Sequence, residues 1–514
     1  MTDPSRSSGQ TVIVVGAGAN GLVAATALAK AGRRVLVLEA ESEVGGTWRP
    51  IEIASGLNAS LEVESDWIPP GVATLLGVNE SDFTSAPGTS VLLEDGEFLL
   101  LPPETSAGAA AIRRHSPRDA AKWPEFTARL RQLSGFLETM YQMPAPDLDS
   151  RSVGDLSGFL SLGRSFRGLG RTGMSELLRV LPMPVQDLAD DFLTFEPLKA
   201  AVAAAGVRDI RQGPRSGGTS FVLLHYLTGA ATGAFRGRRP LRGGPGAFIT
   251  FAERAAIAAG VNIRADARVA RIDVKDDAVS GVTLASGESI ATSVVLSTAD
   301  PRSTLLGMID PVWLDPEFVR AVSNIRYRGV TAYVCYSLVS AADLPTGVIS
   351  LSSSTDAIER PFDASKYGEA SPKPHIELTI RPDARALIAR VQYIPFALRD
   401  GAWDPARKGA LANLVSAEIT RAIPKFSGLV RECRVFTPAD LARRFGVHDG
   451  AFTHGELGLD QILFMRPVAG NGRHAMPIAG LYLGGAGTHP GPGIAGGPGL
   501  LAARQVLADA KRRK

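Results

Sequence analysis

Three glycines near the amino terminus constrain the fold of this 514-residue chain more than any other feature. A short apolar run at 11–15 precedes Gly16, Gly18 and Gly21, and the residues at 22–31 contain no helix breaker. A buried strand, a glycine turn and a helix in this order are typical of a dinucleotide-binding βαβ unit. The pattern therefore predicts an α/β fold with a parallel sheet.

Each glycine of this turn has its own expected role. Gly16 permits the tight turn, Gly18 allows the backbone to approach a pyrophosphate, and Gly21 allows the helix to pack closely on the strand. Free N–H groups at the helix N-terminus favour phosphate binding. A second apolar run at 35–38 ends at Glu39, whose carboxylate can accept hydrogen bonds from ribose hydroxyls and disfavours a 2′-phosphate. The sequence therefore predicts a dinucleotide other than NADP.

The composition narrows the class of protein further. The formal net charge is only +3, which predicts no nucleic-acid partner. The two cysteines, Cys335 and Cys433, form no CxxC pattern, which suits a reducing compartment, and we expect a cytoplasmic protein. No histidine lies in an HExxH or Cys/His cluster, so no metal site is predicted. The polar first ten residues do not resemble a secretory signal, and no apolar run reaches the roughly 18 residues of a transmembrane helix.

A second glycine pattern, Gly168, Gly170 and Gly173, lacks the context of the first. No strand-like run precedes it, and no strand ending in an acid follows it. Because an isolated pattern of this kind is weak evidence, we predict a loop here and no second nucleotide domain.

The rest of the chain divides into helical and strand-rich parts. Residues 106–235 are predicted to be mainly helical, and a helix is predicted at 247–259. Apolar runs at 268–272, 280–284 and 293–297, separated by turn-forming pairs, predict a β-meander. Later predicted elements are three strands and one helix, at 329–338, 375–381, 388–394 and 405–423.

A glycine-rich segment at 480–498 resembles the closing motif of phytoene desaturase-type carotenoid oxidoreductases. Gly45 and Gly46, soon after the first βαβ unit, resemble the extended fingerprint of the same flavoprotein superfamily. His454-Gly455 and Arg466-Pro467 are similar to motifs of one subgroup, the pyridine nucleotide-disulphide oxidoreductase domain-containing protein 2 family.

This resemblance implies FAD as the cofactor and a two-domain fold. A Rossmann-like FAD-binding domain of the amine oxidase and phytoene desaturase type would carry an inserted α+β substrate domain. The FAD-binding domain would be discontinuous, built from 1–105, 240–310 and 470–514. The substrate domain would comprise 106–239 and 311–469.

The resemblance also implies how FAD is held. The backbone of Val269 would contact the adenine, and Gly45 and Gly46 would contact the pyrophosphate. Ala486 stands where many flavoproteins carry an acid, so backbone N–H groups would replace that acid. Gly485, Ala486 and Gly487 would lie along the pyrophosphate and the ribityl chain. The residues expected to pass beside the isoalloxazine ring are Thr488, His489 and Pro490.

Two kinds of side chain are candidates for work on the substrate. His489 and His454 are the candidate catalytic residues, since an imidazole can take a proton as a hydride leaves; the alternative is that each anchors a loop. Seven arginines could recognise a carboxylate or phosphate on the substrate, or could simply form a solvated surface. They are Arg208, Arg211, Arg215, Arg236, Arg238, Arg239 and Arg242.

The leading functional hypothesis is FAD-dependent dehydrogenation of an extended apolar or isoprenoid-like substrate. Quinone or oxygen would accept the electrons, because no second nucleotide domain is visible in the sequence. Two alternatives stay open: a redox-neutral isomerase of a polyene, and a flavin-binding regulatory protein without turnover. An apolar substrate also predicts peripheral contact with a membrane.

Overall fold

A computed structural model gives the fold of the chain. The structure describes residues 11–62, 66–146, 153–230, 234–341, 344–345, 347–381 and 385–512. The first ten residues, for which the sequence predicts no secretory signal, lie outside the described residues, as do residues 513–514.

The described residues form seventeen strands. These are β1 (Val12–Val15), β2 (Val35–Leu38), β3 (Ile51–Ala54), β4 (Leu57–Ala59), β5 (Thr89–Leu92), β6 (Phe98–Leu101), β7 (Asn262–Arg264), β8 (Val269–Lys275), β9 (Ala278–Leu284), β10 (Ser289–Ala291), β11 (Val295–Ser297), β12 (Thr331–Leu338), β13 (Val348–Ser350), β14 (His375–Arg381), β15 (Ala386–Gln392), β16 (Val430–Phe436) and β17 (Leu481–Leu483).

Fifteen α-helices accompany these strands in the described part of the chain. These are α1 (Ala19–Lys30), α2 (Pro70–Leu76), α3 (Thr105–Arg113), α4 (Pro117–Tyr141), α5 (Val153–Gly168), α6 (Gly170–Val180), α7 (Val185–Asp190), α8 (Glu196–Gly206), α9 (Thr219–Tyr226), α10 (Gly244–Ala258), α11 (Pro316–Ser323), α12 (Asp356–Lys366), α13 (Pro405–Ala422), α14 (Pro438–Phe445) and α15 (Gly497–Arg512).

A five-stranded parallel sheet, in the order β17-β11-β1-β2-β7, forms the centre of the nucleotide-binding part. Side chains alternate along β1: Val12 and Val14 face the core formed with α1, α10 and α15. Ile13 and Val15 face the core formed with the small sheet of β8 and β9. Burial on both faces explains the unbroken apolar run of this strand. The α/β fold predicted from the glycine turn is confirmed.

The predicted β-meander is wrong in its third strand. β8, β9 and β10 form a three-stranded antiparallel sheet, whereas β11 pairs in parallel with β1 and β17. All three residues of β11 are buried, as a central strand of a parallel sheet requires. The short strand β10, which is more exposed, takes the edge of the small sheet instead.

A seven-stranded mixed sheet, in the order β16-β12-β15-β14-β13-β5-β6, forms the centre of the second part. One face packs against α13 through Leu411, Val415 and Ile419. β5 and β6 pair within this sheet, although both lie in the stretch 1–105 expected for the FAD-binding domain. A boundary that follows the sheets would fall before Thr89, and the domain division stays a prediction.

The predicted loop at the second glycine pattern is wrong in conformation. Gly168 ends α5 and Gly170 begins α6, so the pattern marks the junction of two helices. Gly173, Leu177 and Val180 recur at helical spacing and are buried along one face of α6. Burial of this face stabilises the helix by more than its glycines destabilise it. Within the described residues, no helix is both long and apolar enough to cross a membrane.

Candidate active site

The glycine turn after β1 has two kinds of glycine. Gly16 adopts a φ of +94°, which L side chains rarely adopt. A Cβ at Gly21 would lie 1.9 Å from the carbonyl oxygen of Gly16, so the close packing of α1 on the turn excludes any side chain. A Cβ at Gly18 would have no neighbour nearer than 3.8 Å, and Gly18 lies on the wall of a cavity. Gly18 therefore leaves room for a ligand, whereas Gly21 serves packing.

The glycine pair Gly45 and Gly46 lies against this turn. The N–H of Gly45 donates to the carbonyl oxygen of Ala17 at 2.9 Å, and Gly45 pairs with Gly18 as an isolated parallel bridge. Gly45 and Gly46 have φ values of +124° and +57°, and a Cβ at Gly46 would lie 3.2 Å from the Cα of Gly18. The two motifs therefore form one surface of bare backbone.

A cavity of about 340 Å³ lies in front of this surface, which we call the first cavity. The predicted site residues on its wall are Gly16, Gly18, Glu39, Gly45, Gly46, Val269, His454 and Ala486. Other predicted site residues do not line it: Gly21, Gly485, Gly487, Thr488 and His489.

The carboxylate of Glu39 is buried and oriented by the backbone. It accepts hydrogen bonds from the N–H of Ala17 at 2.6 Å and from the N–H of Glu41 at 3.1 Å, one at each oxygen. A carboxylate can accept about four hydrogen bonds, so Glu39 retains capacity for hydroxyl groups in the first cavity.

Two helix N-termini meet beside the first cavity. A Cβ at Gly499 would lie 2.0 Å from the carbonyl oxygen of Asn20, so α15 packs directly on the first turn of α1. Asn20 lines the cavity, as do residues 491–496, which lead into α15. The partial positive charge of both termini favours an anionic group such as a pyrophosphate.

The carboxyl-terminal motif serves packing as well as the cavity. A Cβ at Gly485 would lie 2.4 Å from the carbonyl oxygen of Thr298, and one at Gly487 would lie 2.4 Å from the Cδ of Pro301. Both glycines thus allow the motif to pack closely on the segment that follows β11. The Thr488 hydroxyl donates to the carbonyl oxygen of Gly485 at 2.8 Å.

Arg466 is fully buried behind the first cavity. Its guanidinium donates to the carbonyl oxygens of Ala486 at 2.8 Å and Thr453 at 2.7 Å. Burial lowers the pKa of Arg466 to about 10, which still leaves the side chain charged at neutral pH. Arg466 therefore ties together the loop that carries His454 and the loop that carries Ala486, and it places a positive charge behind both.

His454 lies on the cavity wall. It adopts a φ of +52°, and its Nδ1 is buried with no hydrogen-bond partner among the described residues. Burial lowers the pKa of His454, and the carboxylate of Asp300 opposes this effect. The Nδ1 lies beside Gly485, where an added Cβ would be 3.2 Å from it. A neutral imidazole with an unpartnered nitrogen can accept a proton.

His489 has a different environment. It is fully buried, and its Nε2 lies 3.1 Å from the carbonyl oxygen of Met143. Burial, reinforced by nearby His474, lowers the pKa of His489 to about 3, so the ring is neutral and Nε2–H donates to Met143. This geometry favours an anchoring role, and catalysis by His489 stays a prediction that the contacts do not support.

Asp300 lies on the wall of the first cavity near His454. Burial alone would raise the pKa of Asp300, but hydrogen bonds from His448 at 3.2 Å and from Ser303 hold it well below its usual range. The same contact with Asp300 raises the pKa of His448. Asp300 therefore stays ionised beside the cavity.

A charged cluster lies on the same wall, and of its members only Arg208 was singled out in the sequence. It comprises Glu62, Asp66, Arg208, Asp209 and Tyr226, which we call the acid cluster. The Arg208 guanidinium lies 3.5 Å from Glu62, 3.2 Å from Asp209 and 4.7 Å from the centre of the Tyr226 ring. No motif surrounds Glu62, and only the fold brings it to Arg208.

Glu62 is the member of the acid cluster suited to proton transfer. Burial and the neighbouring Asp209 raise the pKa of Glu62 to about 7, and the positive charge of Arg208 limits the rise. The Tyr333 hydroxyl lies 3.5 Å from the Glu62 carboxylate. A carboxyl group with a pKa near neutrality can accept and release a proton at working pH.

A second cavity, of about 450 Å³, adjoins the first. Arg208 and Tyr226 line both cavities. Of the arginines singled out in the sequence, those on the wall of the second cavity are Arg208, Arg236, Arg238 and Arg242. Arg215 and Arg239 instead form ion pairs with Asp356 and Glu80.

The first cavity fits a flavin dinucleotide. Asn20 and His454 both line it, and the buried Oδ1 of Asn20 and Nδ1 of His454 have no hydrogen-bond partner among the described residues. Bare glycine backbone, a fixed carboxylate at Glu39 and two helix N-termini provide the contacts that a pyrophosphate and a ribose need.

The family model described as "Flavin containing amine oxidoreductase" matches residues 20–507 of the chain. This chain belongs to that family. Its cofactor is FAD, as the sequence motifs predicted, and it is a flavin-dependent oxidoreductase.

Curated relatives match along nearly the whole chain. Pyridine nucleotide-disulfide oxidoreductase domain-containing protein 2 of Rattus norvegicus is 29% identical over 97% of this chain and 93% of its own length. Phytoene desaturase (lycopene-forming) of Pseudescherichia vulneris is 26% identical over 97% of this chain and 98% of its own length. The predicted resemblance to both groups is confirmed.

A solved structure shares the fold. Cyclohexylamine oxidase from Brevibacterium oxydans superposes with a TM-score of 0.60 at 14% sequence identity, covering 98% of this chain and all of its own. At this identity the similarity shows the fold alone.

Proposed function

We propose that this protein is a dehydrogenase that desaturates an extended, apolar, isoprenoid-like molecule with FAD as hydride acceptor. The observation that carries the proposal is the shared wall at Arg208 and Tyr226, where the second cavity meets the first. A chain-like molecule in the second cavity would reach the FAD cavity at this wall. Similarity to a phytoene desaturase supports the choice of substrate.

The residues of the first cavity bind and orient the cofactor. The glycine surface at Gly18 and Gly46 accommodates the pyrophosphate, Glu39 accepts from the ribose, and Val269 lies where the adenine is expected. When bound, FAD supplies a two-electron acceptor for a hydride. The fixed positive charge of Arg466 would stabilise negative charge on the part of the reduced cofactor that lies near Ala486.

Removal of two hydrogens from a carbon–carbon bond releases a proton besides the hydride. We assign that proton to Glu62, because it lines the first cavity, its carboxylate lies 3.5 Å from Arg208 of the shared wall, and it is half ionised near pH 7. His454 is the second candidate, since it lines the first cavity and its Nδ1 has no partner among the described residues. The Arg208 guanidinium orients the Glu62 carboxylate.

The electron acceptor and the cellular setting belong to the same proposal. Quinone or oxygen would take the electrons from the cofactor, because the sequence carries no second dinucleotide motif in a strand–helix context. A cytoplasmic protein in peripheral contact with a membrane would have access to an apolar substrate.

Anaerobic mixing of the holoprotein with lipid extracts tests the proposal. We expect loss of the oxidised flavin absorbance and a product lighter by two hydrogens, identified by mass spectrometry. Product of unchanged mass with altered double-bond geometry would favour the isomerase. Flavin that no extract reduces, under conditions where dithionite reduces it, would favour the regulatory protein.

A further inference from the structure

The second cavity has an unusual wall. Five arginines line it, and no Asp or Glu is among its lining residues in the described part of the chain. The arginines are Arg208, Arg236, Arg238, Arg242 and Arg381. Apolar side chains such as Leu227, Leu241 and Ile380 line the same cavity. The wall therefore combines positive charge with an apolar surface.

The charges are distributed unevenly around this cavity. Arg236 forms a buried ion pair with Glu377 at 2.7 Å, and Arg208 pairs with the acid cluster. The Arg238 guanidinium donates to the carbonyl oxygens of Thr228 at 2.6 Å and His225 at 2.9 Å. These bonds orient Arg238 without removing its charge. Carboxylates thus balance part of the inner charge, and no Asp or Glu of the described ranges lies on the wall itself.

The outer rim of the second cavity lies at the start of α10. Arg242 is exposed there, and no ion pair with another described residue involves it. The Arg381 guanidinium is also at this rim, since a Cβ at Gly244 would lie 3.3 Å from its Nη1. Gly244 is the first residue of the fifteen-residue helix α10 and lines the cavity. The Arg381 guanidinium and the N-terminus of α10 therefore lie on one side of the cavity, and Arg242, which lies just before that helix, lines the same side.

We propose that the second cavity binds a substrate whose apolar chain ends in a carboxylate or a phosphate. The anionic end contacts Arg242 and Arg381, because guanidinium groups pair with such oxyanions in a bidentate geometry. The chain lies along Leu241 toward the shared wall at Tyr226. This inference rests on the proposed function, which takes the second cavity as the path of the substrate to the FAD cavity.

Calorimetric titration of the holoprotein tests the inference with four defined probes. Dodecanoate and dodecyl phosphate carry the two candidate anions, dodecanol has the same chain without charge, and acetate has the anion without the chain. We expect one or both chain anions to bind at least about 10-fold more tightly than dodecanol and acetate. The stronger of the two identifies the anion. Equal affinity for dodecanol and both anions would overturn the inference.

Two variants and a matched control locate the anion. We expect Arg242→Gln and Arg381→Gln each to weaken binding of the preferred anion by about 3- to 30-fold and to leave dodecanol affinity unchanged. Arg254→Gln, an exposed change on the same helix α10 away from the cavity wall, should alter neither affinity. Anion binding that neither cavity variant weakens would contradict the inference.

Flavin reduction separates the failure of the inference from that of the proposed function. If a lipid extract reduces the flavin and the reacting molecule carries no anion, only the inference fails. If the anions bind and respond to both variants but no extract reduces the flavin, the anion site stands and the dehydrogenase proposal fails.

Discussion

The two cavities of this protein differ in how the chain builds them. The glycine surface of the first comes from Gly16, Gly18, Gly45 and Gly46, which lie within one short stretch of sequence. The wall of the second comes from segments that are far apart, such as the start of β13 and the end of β14. The glycine surface relies on backbone geometry and the arginine wall on side chains, so this part of the FAD cavity is encoded locally, whereas the rest of the first cavity and the wall of the second depend on tertiary packing.

The largest effect on flavin reduction is expected at Glu62, beside the wall that the cavities share. Glu62→Gln keeps the shape of the side chain but cannot accept a proton, so we expect flavin reduction by substrate to slow by about 100- to 10,000-fold. Stopped-flow absorbance measures this rate under anaerobic conditions. Glu97→Gln, which removes an exposed carboxylate, serves as the control and should keep the wild-type rate.

The pH dependence of the same reaction sharpens this test. The pKa of Glu62 is raised to about 7, so the carboxylate form that accepts a proton is populated above that pH. The rate of flavin reduction in the wild type should therefore rise with pH through about 7, and Glu62→Gln should lose this rise. A variant that keeps both the rate and the pH profile would remove Glu62 from the mechanism and favour His454.

The next largest effect distinguishes two glycines of one turn. An alanine at Gly18 has open space around its Cβ in the protein itself, but it occupies the first cavity. We expect Gly18→Ala to weaken FAD binding by about 10- to 100-fold while the thermal unfolding of the apoprotein is unchanged. Fluorescence titration of apoprotein with FAD measures the affinity.

Gly21→Ala is the matched variant for that test. Its Cβ would collide with the carbonyl oxygen of Gly16, so the apoprotein itself should be destabilised along with FAD binding. If Gly18→Ala destabilised the apoprotein as much as Gly21→Ala does, the assignment of Gly18 to the ligand would be wrong.

The contrast between the cavities also explains what could be predicted from the sequence. The βαβ unit and its expected dinucleotide contacts follow from spacing, because Gly16 and Glu39 lie within one supersecondary unit, whereas the choice of FAD came from the family resemblance. Glu62 has no such signal, since its raised pKa depends on Asp209 and on burial by distant segments. The assignment of β11 to a meander failed because strand patterns do not encode their partner strands.

His489 shows the same limit within a recognised motif. An imidazole expected beside the isoalloxazine predicted catalysis, but the His489 ring donates to Met143 and His489 does not line the first cavity. We expect His489→Ala to lower the free energy of unfolding by about 1–3 kcal/mol, measured by urea denaturation, because the fully buried His489 ring and its hydrogen bond to the Met143 carbonyl are lost. Flavin reduction should change by less than about 3-fold, whereas loss of a catalytic base would slow it by about 100-fold or more.

The smallest effect is expected in how the free energy of unfolding changes with pH, where a single substitution isolates the contribution of the His489 ring. Its pKa is about 3 in the folded protein and near 6.5 when unfolded, so between these values the unfolded chain binds the extra proton. Stability is therefore lost as pH falls below about 6.5. His489→Gln keeps an N–H donor but does not titrate, so its free energy of unfolding should fall less steeply between pH 7 and 5, by at most about 1.4 kcal/mol per pH unit. Parallel slopes for the two proteins would mean that the ring is not buried in a neutral form, and would return His489 to the set of groups that can exchange a proton near the flavin.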